Sequence, residues 1–319
     1  MRHLISLKEV SKDDILEMID TAWHLKQRRI GEHFANLLPG KTLIMLFQKT
    51  STRTRVSFEA AMTELGGHSI FLDERTTQLP FSDFKDEIRA IMRYGHILLF
   101  RALKAEDVMT AADYNQIPVI DGCSEKYHPV QTISDIFTMA EHSGGIEKIK
   151  KIAWLGMQNN VSNTLKLACA KLGIKLAVLR IATDPESIDK KLNQQADKSG
   201  LIHYSYFIRE VLEGADYVHT DTWMNMEHFD SDGKVKQEYI ELYKQRQYLF
   251  MQFQVNAELI GKYAPQAKIM HCMPCHIGYE ISRDGVEHPN SIIFAQAENR
   301  LHTQKAIILW LLEKTNLVR

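Results

Sequence analysis

The feature that most constrains this fold is the regular alternation of short apolar runs with helix-like segments along the chain. Eight of these runs are rich in β-forming residues, and one of them, 43–47 (LIMLF), is apolar at every position. A strand without a polar face belongs in a sheet that helices cover on both sides. Strands that alternate with helices form parallel sheets through crossover connections. The sequence therefore predicts an α/β fold with strands at 42–48, 69–72, 97–101, 118–120, 152–155, 176–181, 217–222 and 268–273.

The length and one polar segment predict two domains. A chain of 319 residues is long enough for two domains of about 150 residues, each with its own core. Residues 142–147 (HSGGIE) separate the first four predicted strands from the last four, and they are polar and contain two glycines. We therefore expect one domain over residues 1–142 and a second over 148–296. A last helix, predicted from residue 297 onward, can pack on either domain.

Charge and apolar content exclude several classes of protein. The chain has 39 Lys and Arg against 40 Asp and Glu, so it has no general positive field for nucleic acid or a membrane surface. No stretch approaches the roughly 20 apolar residues of a membrane span, and the N-terminal segment lacks the apolar run of a secretory signal. The four cysteines fit free thiols in a reducing compartment. We therefore expect a cytoplasmic protein that binds any anion at a local site.

Residues 49–55 (KTSTRTR) carry the strongest chemical signal. They follow the first predicted strand and lead into a helix, where free backbone N–H groups and the positive end of the helix dipole face the turn. Hydroxyl groups and arginine guanidinium groups add donors that fit phosphate oxygens. In the plainer alternative, Ser51 or Thr52 only caps the helix and Arg55 pairs with Glu59. Because a structural role does not need two arginines and four hydroxyls within six residues, we favour a phosphate site.

Two further strands of the first domain end in polar donors. Arg101 closes the third predicted strand, and residues 127–131 (YHPVQ) follow the fourth. Pro129 suits the first turn of a helix, which leaves His128 at the cap and Gln131 one turn inward, where both can donate to a carbonyl oxygen. Ligands of open α/β sheets bind at this edge. Each residue alone is more easily a cap or a surface group, but three donors on successive strand ends predict a binding site.

The second domain repeats the strand, turn and helix arrangement at 155–161 (LGMQNNV). This turn lacks the GxGxxG pattern of dinucleotide sites, so we set dinucleotide redox chemistry aside and predict no cofactor. Asn159 and Asn160 either cap the next helix or face the cleft. Asp221, at the end of a later strand, either caps a turn or holds an ammonium group.

Residues 271–276 (HCMPCH) contain spacings that are typical of other chemistries. C-x-x-C-H is typical of c-type haem attachment, and C-x-x-C is typical of thioredoxin motifs or of half a zinc site. Haem attachment requires export, and zinc requires two more soft ligands at a comparable spacing. Thioredoxin motifs open a helix early in a chain, whereas this segment ends a late strand. We therefore predict no metal and assign Cys272 to the wall of the cleft.

Taken together, these motifs resemble those of the carbamoyltransferases. The resemblance covers nearly the whole chain and rests on STRTR-x-SFE at 51–59, Arg101, HPVQ at 128–131, Asn159-Asn160, DTW at 221–223, HCMP at 271–274 and AENR at 297–300. Within this family the closest likeness is to the ornithine enzymes, because the aspartate enzymes carry HP where this chain has HC. The resemblance implies two doubly wound domains, the first for carbamoyl phosphate and the second for the amine, with the C-terminal helix, 297–319, returning to the first.

The same resemblance implies a reaction and a role for each residue. The carbamoyl group of carbamoyl phosphate would pass to the side-chain amine of ornithine, giving citrulline and phosphate, a step of arginine metabolism. The implied carbamoyl phosphate contacts are Ser51, Thr52, Arg53, Thr54, Arg101, His128, Gln131, Cys272, Met273 and Arg300, with Gln78 from a neighbouring subunit of a homotrimer. The implied catalytic residues are Arg53, Thr54, His128 and Cys272, and the implied ornithine contacts are Asn160, Asp221, Asn225 and Met226.

One departure from the family pattern leaves the amine open. Ornithine enzymes carry an SMG triplet after DTW-x, whereas this chain has Asn225-Met226-Glu227. Asn can replace Ser as a donor to a carboxylate, but Glu227 adds an anion where glycine has no side chain. A carbamoyltransferase for another amine, such as putrescine, is therefore an alternative. A non-catalytic anion-binding protein of the same fold is another, because a fold does not fix a function.

Overall fold

Two parallel β-sheets, one after the other along the chain, form the framework of the fold. The structure is a computed structural model and describes residues 1–29, 34–224, 228–230 and 232–318. The strands are β1 (Thr42–Phe47), β2 (His68–Asp73), β3 (Ile97–Arg101), β4 (Val119–Asp121), β5 (Lys151–Trp154), β6 (Lys175–Leu179), β7 (Ile202–Ser205), β8 (Tyr217–Thr220) and β9 (Lys268–His271). The helices are α1 (Lys12–Gln27), α2 (Thr52–Glu64), α3 (Phe84–Ile91), α4 (Ala105–Asp113), α5 (Pro129–Ser143), α6 (Asn160–Leu172), α7 (Lys190–Asp197), α8 (Ile208–Leu212), α9 (Ile240–Phe250), α10 (Ala257–Tyr263), α11 (Arg283–Val286) and α12 (Ile293–Leu311).

The first sheet has the strand order β2-β1-β3-β4, with each neighbouring pair parallel. β1 and β3 are buried along nearly their whole length, as expected of strands that are covered on both faces. The strand order reverses between β1 and β3, and ligands of open α/β sheets bind beyond the strand ends at such a point. Phe47 pairs with Arg101, so the end of β3 lies beside the loop that follows β1.

The second sheet has the order β7-β6-β5-β8-β9, again with parallel neighbours. Its strand order reverses between β5 and β8, so the loops after these two strands form a second binding edge. These loops carry Asn159 and Asp221. β8 ends at Thr220 and β9 ends at His271, which places Asp221 and Cys272 just beyond the strands, whereas the sequence predicted strands through 222 and 273.

All eight predicted strands and the α/β fold of two parallel sheets are confirmed, but the sequence did not predict β7. β7 is an edge strand with the sequence IHYS, and only its last residue is buried. It therefore lacks the continuous apolar run by which the central strands are recognised.

The C-terminal helix returns to the first domain, as the family resemblance implies. α12 packs mainly against α1, α5 and α2. The Trp310 indole donates a hydrogen bond to Asp14 of α1 at 3.0 Å, and the Asn299 amide donates to Thr138 of α5 at 3.0 Å. Within the described part of the chain, no helix combines the length and the apolar character needed to cross a membrane.

Candidate active site

Residues 49–55, here called the phosphate loop, run into the N-terminus of α2. They lie beyond the ends of β1 and β3, which we call the first binding edge. Ser51 occupies the N-cap position, but its side chain does not cap the helix, so the plainer alternative is wrong for this residue. Thr52 is exposed, Arg53 is half-buried and Thr54 is buried. Burial lowers the pKa of the Arg53 guanidinium, and the nearby Cys272 acts in the opposite direction. Arg53 therefore lies close to the loop that follows β9 in the second sheet.

Arg55 takes the plainer role that the sequence left open. It donates to Glu59 one turn later at 3.0 Å, and its guanidinium lies 3.7 Å from the centroid of the Phe71 ring. Residues two apart on a helix point about 200° apart around its axis. Arg53 and Arg55 therefore extend from opposite faces of α2, and only Arg53 approaches the second sheet.

Arg300 of α12 ties two elements of the first site together. It donates to Gln131 Oε1 at 2.6 Å and to Thr54 Oγ1 at 2.9 Å. Burial lowers the pKa of the Arg300 guanidinium to about 10, while the Asp135 carboxylate acts to raise it. The guanidinium is therefore still cationic at neutral pH.

His128 occupies the N-cap of α5, as predicted, and Pro129 opens the helix. Burial lowers the pKa of the His128 imidazole well below its usual range, and the positive charges of Arg300, Arg101 and Arg53 lower it further. Because three arginines act on one imidazole, all four side chains surround a common site. At neutral pH the imidazole is uncharged and keeps one N–H donor.

Three buried nitrogen atoms in this cluster have no hydrogen-bond partner within the part of the chain that the structure describes. They are Nε of Arg101, Nε of Arg300 and Nδ1 of His128. The other end of Arg101 is fixed, because one of its terminal nitrogens donates to the carbonyl of Cys123. Buried polar atoms normally have a partner, so two unpartnered guanidinium nitrogens beside an uncharged imidazole at a strand edge indicate a site for an oxygen-rich anion.

Asp221 organises the second binding edge. Its Oδ2 accepts a hydrogen bond from the Asn159 amide at 2.6 Å, and its Oδ1 accepts from the Cys272 thiol at 3.0 Å. Asn159 is also the N-cap of α6, so it caps the helix and contacts the cleft residue at once. Burial raises the pKa of the Cys272 thiol well above its usual range, and the Asp221 carboxylate raises it further. Cys272 is therefore a thiol that donates to a fixed carboxylate.

Asn160 contacts the first domain. Its amide nitrogen donates to the carbonyl of Ser124 at 2.7 Å and lies 3.1 Å from the sulfur of Cys123. These residues belong to the loop between β4 and His128. Asn160 thus joins the second binding edge to the first, and its role toward an amine stays a prediction.

Asp221, His271 and Cys272 place three possible metal ligands within 4.8 Å of one another. Both imidazole nitrogens of His271 are engaged: Nε2 lies 3.1 Å from Glu280 Oε1, and Nδ1 accepts from the Met273 amide at 2.9 Å. Zinc binding requires a thiolate and a free imidazole nitrogen. Because Cys272 is a protonated donor and His271 has no free nitrogen, this group fits a hydrogen-bonded cluster better than a metal site.

One predicted site residue, Gln78, does not join the cluster within this chain. Gln78 is exposed at the start of a short turn, Leu79–Phe81. Asn225 and Met226, together with Glu227, lie outside the described residues. The roles assigned to them stay predictions.

Two buried carboxyl groups beside the site, those of Asp135 and Glu280, were not predicted from the sequence. Asp135 accepts a hydrogen bond from the Gln131 amide at 2.8 Å, and Glu280 Oε1 lies 3.1 Å from Nε2 of His271. The spacing of Asp135, four residues after Gln131 on one helix face, is a signal that was available. Glu280 approaches His271 through a loop, and no spacing rule gives that contact.

The fold and these two edges define an α/β protein that presents buried guanidinium nitrogens without partners among the described residues at one parallel sheet and a carboxylate with a thiol at the other. Residues 2–141 match the carbamoyl-P binding domain of the aspartate/ornithine carbamoyltransferase family, and residues 148–311 match its Asp/Orn binding domain. The chain belongs to this family.

Individual members of the family are similar along nearly the whole chain. An ornithine carbamoyltransferase of Campylobacter curvus is 38% identical over 98% of this chain and 100% of its own length. One of Archaeoglobus fulgidus is 36% identical over 98% of both chains. The solved structure of ornithine carbamoyltransferase from Pyrococcus furiosus is similar with a TM-score of 0.85 and 36% identity, over 97% of this chain and 96% of that chain.

Proposed function

We propose that this protein transfers the carbamoyl group of carbamoyl phosphate to the side-chain amine of L-ornithine, giving L-citrulline and phosphate. The observation that carries the proposal is the presence of two complementary groups on neighbouring binding edges: buried cationic donors without partners, and the Asp221 carboxylate with its thiol neighbour. The donors suit the phosphate and carbonyl oxygens, and the carboxylate suits an ammonium group. Membership of the family and relatives named ornithine carbamoyltransferase support the same reaction.

In this proposal the first edge binds carbamoyl phosphate. The guanidinium groups of Arg53 and Arg101 hold the phosphate, together with the hydroxyls of Ser51, Thr52 and Thr54. Hydrogen bonds between charged partners of this kind are about twice as strong as neutral ones, and the N-terminus of α2 adds its dipole.

The chemical step needs no covalent enzyme intermediate. The neutral amine attacks the carbamoyl carbon and a tetrahedral oxyanion forms. When it collapses, the bond to phosphate breaks, and the departing phosphate takes up the proton that the attacking nitrogen loses. Donors from Arg53, Thr54 and His128 stabilise the oxygen that becomes negative, which is usually the largest contribution to catalysis. His128 acts here through a hydrogen bond and not through a charge, because burial lowers the pKa of its imidazole. Gln131 and Arg300 contact the carbamoyl group beside it.

The second edge binds the amine. The Asp221 carboxylate accepts hydrogen bonds from the α-ammonium group of ornithine, which leaves the side-chain amine free to attack. We assign Asn160, Asn225 and Met226 to the amino-acid end of ornithine, and Cys272 and Met273 to the wall beside the reacting carbon. The attacking ammonium has an unperturbed pKa of about 10, so its pocket must favour the neutral form.

The proposal is tested by incubating the protein with carbamoyl phosphate and L-ornithine and measuring both products. Phosphate and citrulline are expected in equal amounts. Binding of carbamoyl phosphate without either product would instead favour a non-catalytic anion-binding protein.

We also infer that the active unit is a homotrimer in which Gln78 completes the phosphate site of a neighbouring subunit. A groove of about 500 Å³ lies on the outer side of the phosphate loop, and Ser51, Thr52 and Phe71 are among its lining residues. Gln78 of the same chain does not line this groove and is exposed. The groove is therefore open to a polar side chain from another copy.

Mixing two inactive variants tests the shared site. An Arg53→Ala chain still supplies an intact Gln78, and a Gln78→Ala chain still has an intact Arg53. Random trimers of the two should regain up to about a quarter of the native activity, since one site in four receives both intact residues. Each variant alone is the control. A monomeric mass in light scattering, or no recovery from a mixture that forms trimers, would contradict the inference.

Activity is expected to survive exhaustive dialysis against a chelator, because the hydrogen bonds of Asp221, His271 and Cys272 occupy their ligating atoms. The measurements are the rate of citrulline formation before and after dialysis and the metal content of the protein. Stoichiometric zinc whose removal abolishes turnover would show that this cluster binds a metal.

The same framework supports a division into domains. We infer a carbamoyl phosphate domain over residues 1–142 together with 297–319, and an amine domain over 148–296. The strands of the first sheet all lie within 42–121 and those of the second within 151–271. The four cysteines are free thiols, which supports a reducing, cytoplasmic location.

A further inference from the structure

A buried carboxylate on α5 joins the two binding edges. Asp135 has no exposed surface, and its carboxylate contacts three polar side chains on three different elements. Oδ1 accepts from Gln131 of α5 at 2.8 Å and from Gln296 of α12 at 2.7 Å, while Oδ2 lies 3.1 Å from Nε2 of His219 in β8. A buried charge with three partners is costly to remove and fixes each partner in place.

On one side, Asp135 determines how Gln131 is oriented. The amide nitrogen of Gln131 faces the carboxylate, and its amide oxygen accepts from Arg300 at 2.6 Å. A carboxylate can only accept and a guanidinium can only donate, so the amide of Gln131 has one permitted orientation. Arg300 continues the chain of hydrogen bonds to Thr54 at the start of α2.

On the other side, the same carboxylate is connected to the strands that carry the amine site. The amide oxygen of Gln296 accepts from the backbone N–H of His271, at 2.9 Å, directly before Cys272. His219 lies in β8 two residues before Asp221, and its ring stacks on Trp154 with a centroid distance of 5.1 Å. Asp135 therefore contacts β8 directly through His219, and it is connected to β9 by two successive hydrogen bonds through Gln296.

Asp135 also supplies a negative charge close to a buried cation. Arg300 is only 4% exposed, and the Asp135 carboxylate favours its protonated form. A buried guanidinium without a counter-charge is strongly destabilising. The position of Arg300 beside the carbamoyl group thus depends on the charge at residue 135.

We propose that Asp135 is a positioning residue for carbamoyl transfer: it holds Gln131 and Arg300 in the reactive geometry and keeps them in register with the strands that carry Asp221 and Cys272. This inference rests on the proposed function. It adds to that function a residue that does not contact substrate and acts through residues that do.

The test is Asp135→Asn, which nearly preserves volume but leaves one acceptor oxygen for three donors. Misplacing reacting groups by about 1 Å costs on the order of 100-fold in rate, so we expect kcat for citrulline formation to fall about 10- to 100-fold. Arg53, Arg101 and the α2 N-terminus still bind the anion, so the Kd for inorganic phosphate should change less than about 3-fold. Melting temperature is measured alongside.

Asp216→Asn is the matched control for a purely structural effect. Asp216 accepts two backbone N–H groups, from Lys150 at 2.7 Å and Lys151 at 2.9 Å, at the opposite edge of the second sheet. Its replacement should lower the melting temperature and leave kcat unchanged. A double variant gives the second readout: with Gln131→Ala already present, Asp135→Asn should lower kcat less than it does in the native background, because Asp135 acts partly through Gln131.

Native kcat in a folded Asp135→Asn protein would overturn the inference, and so would fully additive effects in the double variant. If Asp135→Asn does not fold, His219→Phe takes its place, because it keeps an aromatic ring on Trp154 and removes the polar contacts of the imidazole with Asp135 Oδ2, Gln296 Nε2 and the carbonyl of Thr220. That variant should lose about 3- to 10-fold in kcat, and native kcat would overturn the inference. Failure of the proposed function is distinguishable, since the native protein would then form no citrulline at all.

Discussion

Arg53→Ala is expected to remove nearly all carbamoyl transfer. The guanidinium of Arg53 is half-buried, and it is close enough to His128 and Cys272 to act on their pKa values, so it lies between the two binding edges. Losing one partner of a buried ion pair costs about 3–5 kcal/mol, which corresponds to a fall of about 10²- to 10⁴-fold in kcat/KM for carbamoyl phosphate. Steady-state kinetics with varied carbamoyl phosphate measures this.

Arg209→Ala is the matched control for that experiment. Arg209 is exposed and lies 3.8 Å from Glu213 one turn later on the surface of the second domain. Surface ion pairs contribute about 0–1 kcal/mol, so the control should keep the native rate and nearly the native stability. Near-native kcat/KM in Arg53→Ala would show that the anion lies elsewhere.

Asp221→Asn is expected to impair the use of the amine selectively. The change keeps the shape of the side chain but removes the negative charge, and it alters the acceptors for Asn159 and Cys272. Removing one partner of a buried charge pair costs about 2–5 kcal/mol, so kcat/KM for ornithine should fall about 30- to 5,000-fold. KM for carbamoyl phosphate should stay within about 3-fold of native, because the first edge is unchanged.

The two cysteines of the late loop provide a graded comparison. Cys272→Ser should chiefly impair the amine, because Cys272 donates to Asp221. Cys275→Ser should have only a mild effect on activity, because Cys275 packs against the core of the second domain.

For Asp221→Asn, an equal effect on kcat/KM for both substrates would contradict the separate roles of the two edges.

Local patterns determined most of what the sequence could predict. Central strands with continuous apolar runs, the start of α5 at His128 and Pro129, and the turn before α6 depend on neighbours in the chain, so spacing reveals them. β7 was not predicted because an edge strand does not need a continuous apolar run. The opposite directions of Arg53 and Arg55 follow from the helix period, which becomes informative once α2 is known to begin at Thr52.

The unpredicted part of the site consists of contacts between distant segments. Asp135 meets His219 across 84 positions and Gln296 across 161, and no spacing rule joins such residues. Asn159 was left open between a cap and a cleft residue, and it is both, because Asp221 lies at the end of the adjacent strand β8. Long-range polar contacts of this kind require the strand order, which the sequence alone did not give.

The most direct test of the account offers a panel of amines to the native protein with carbamoyl phosphate and scores the ureido product. Glu227 is the residue for which the sequence left the amine open, because a carboxylate turned into the pocket would repel the α-carboxylate of ornithine and favour a diamine. We predict that L-ornithine has the highest kcat/KM in both the native protein and Glu227→Gly, with one phosphate released for each citrulline. A native preference for putrescine over ornithine, or no ureido product with any amine, would contradict the account.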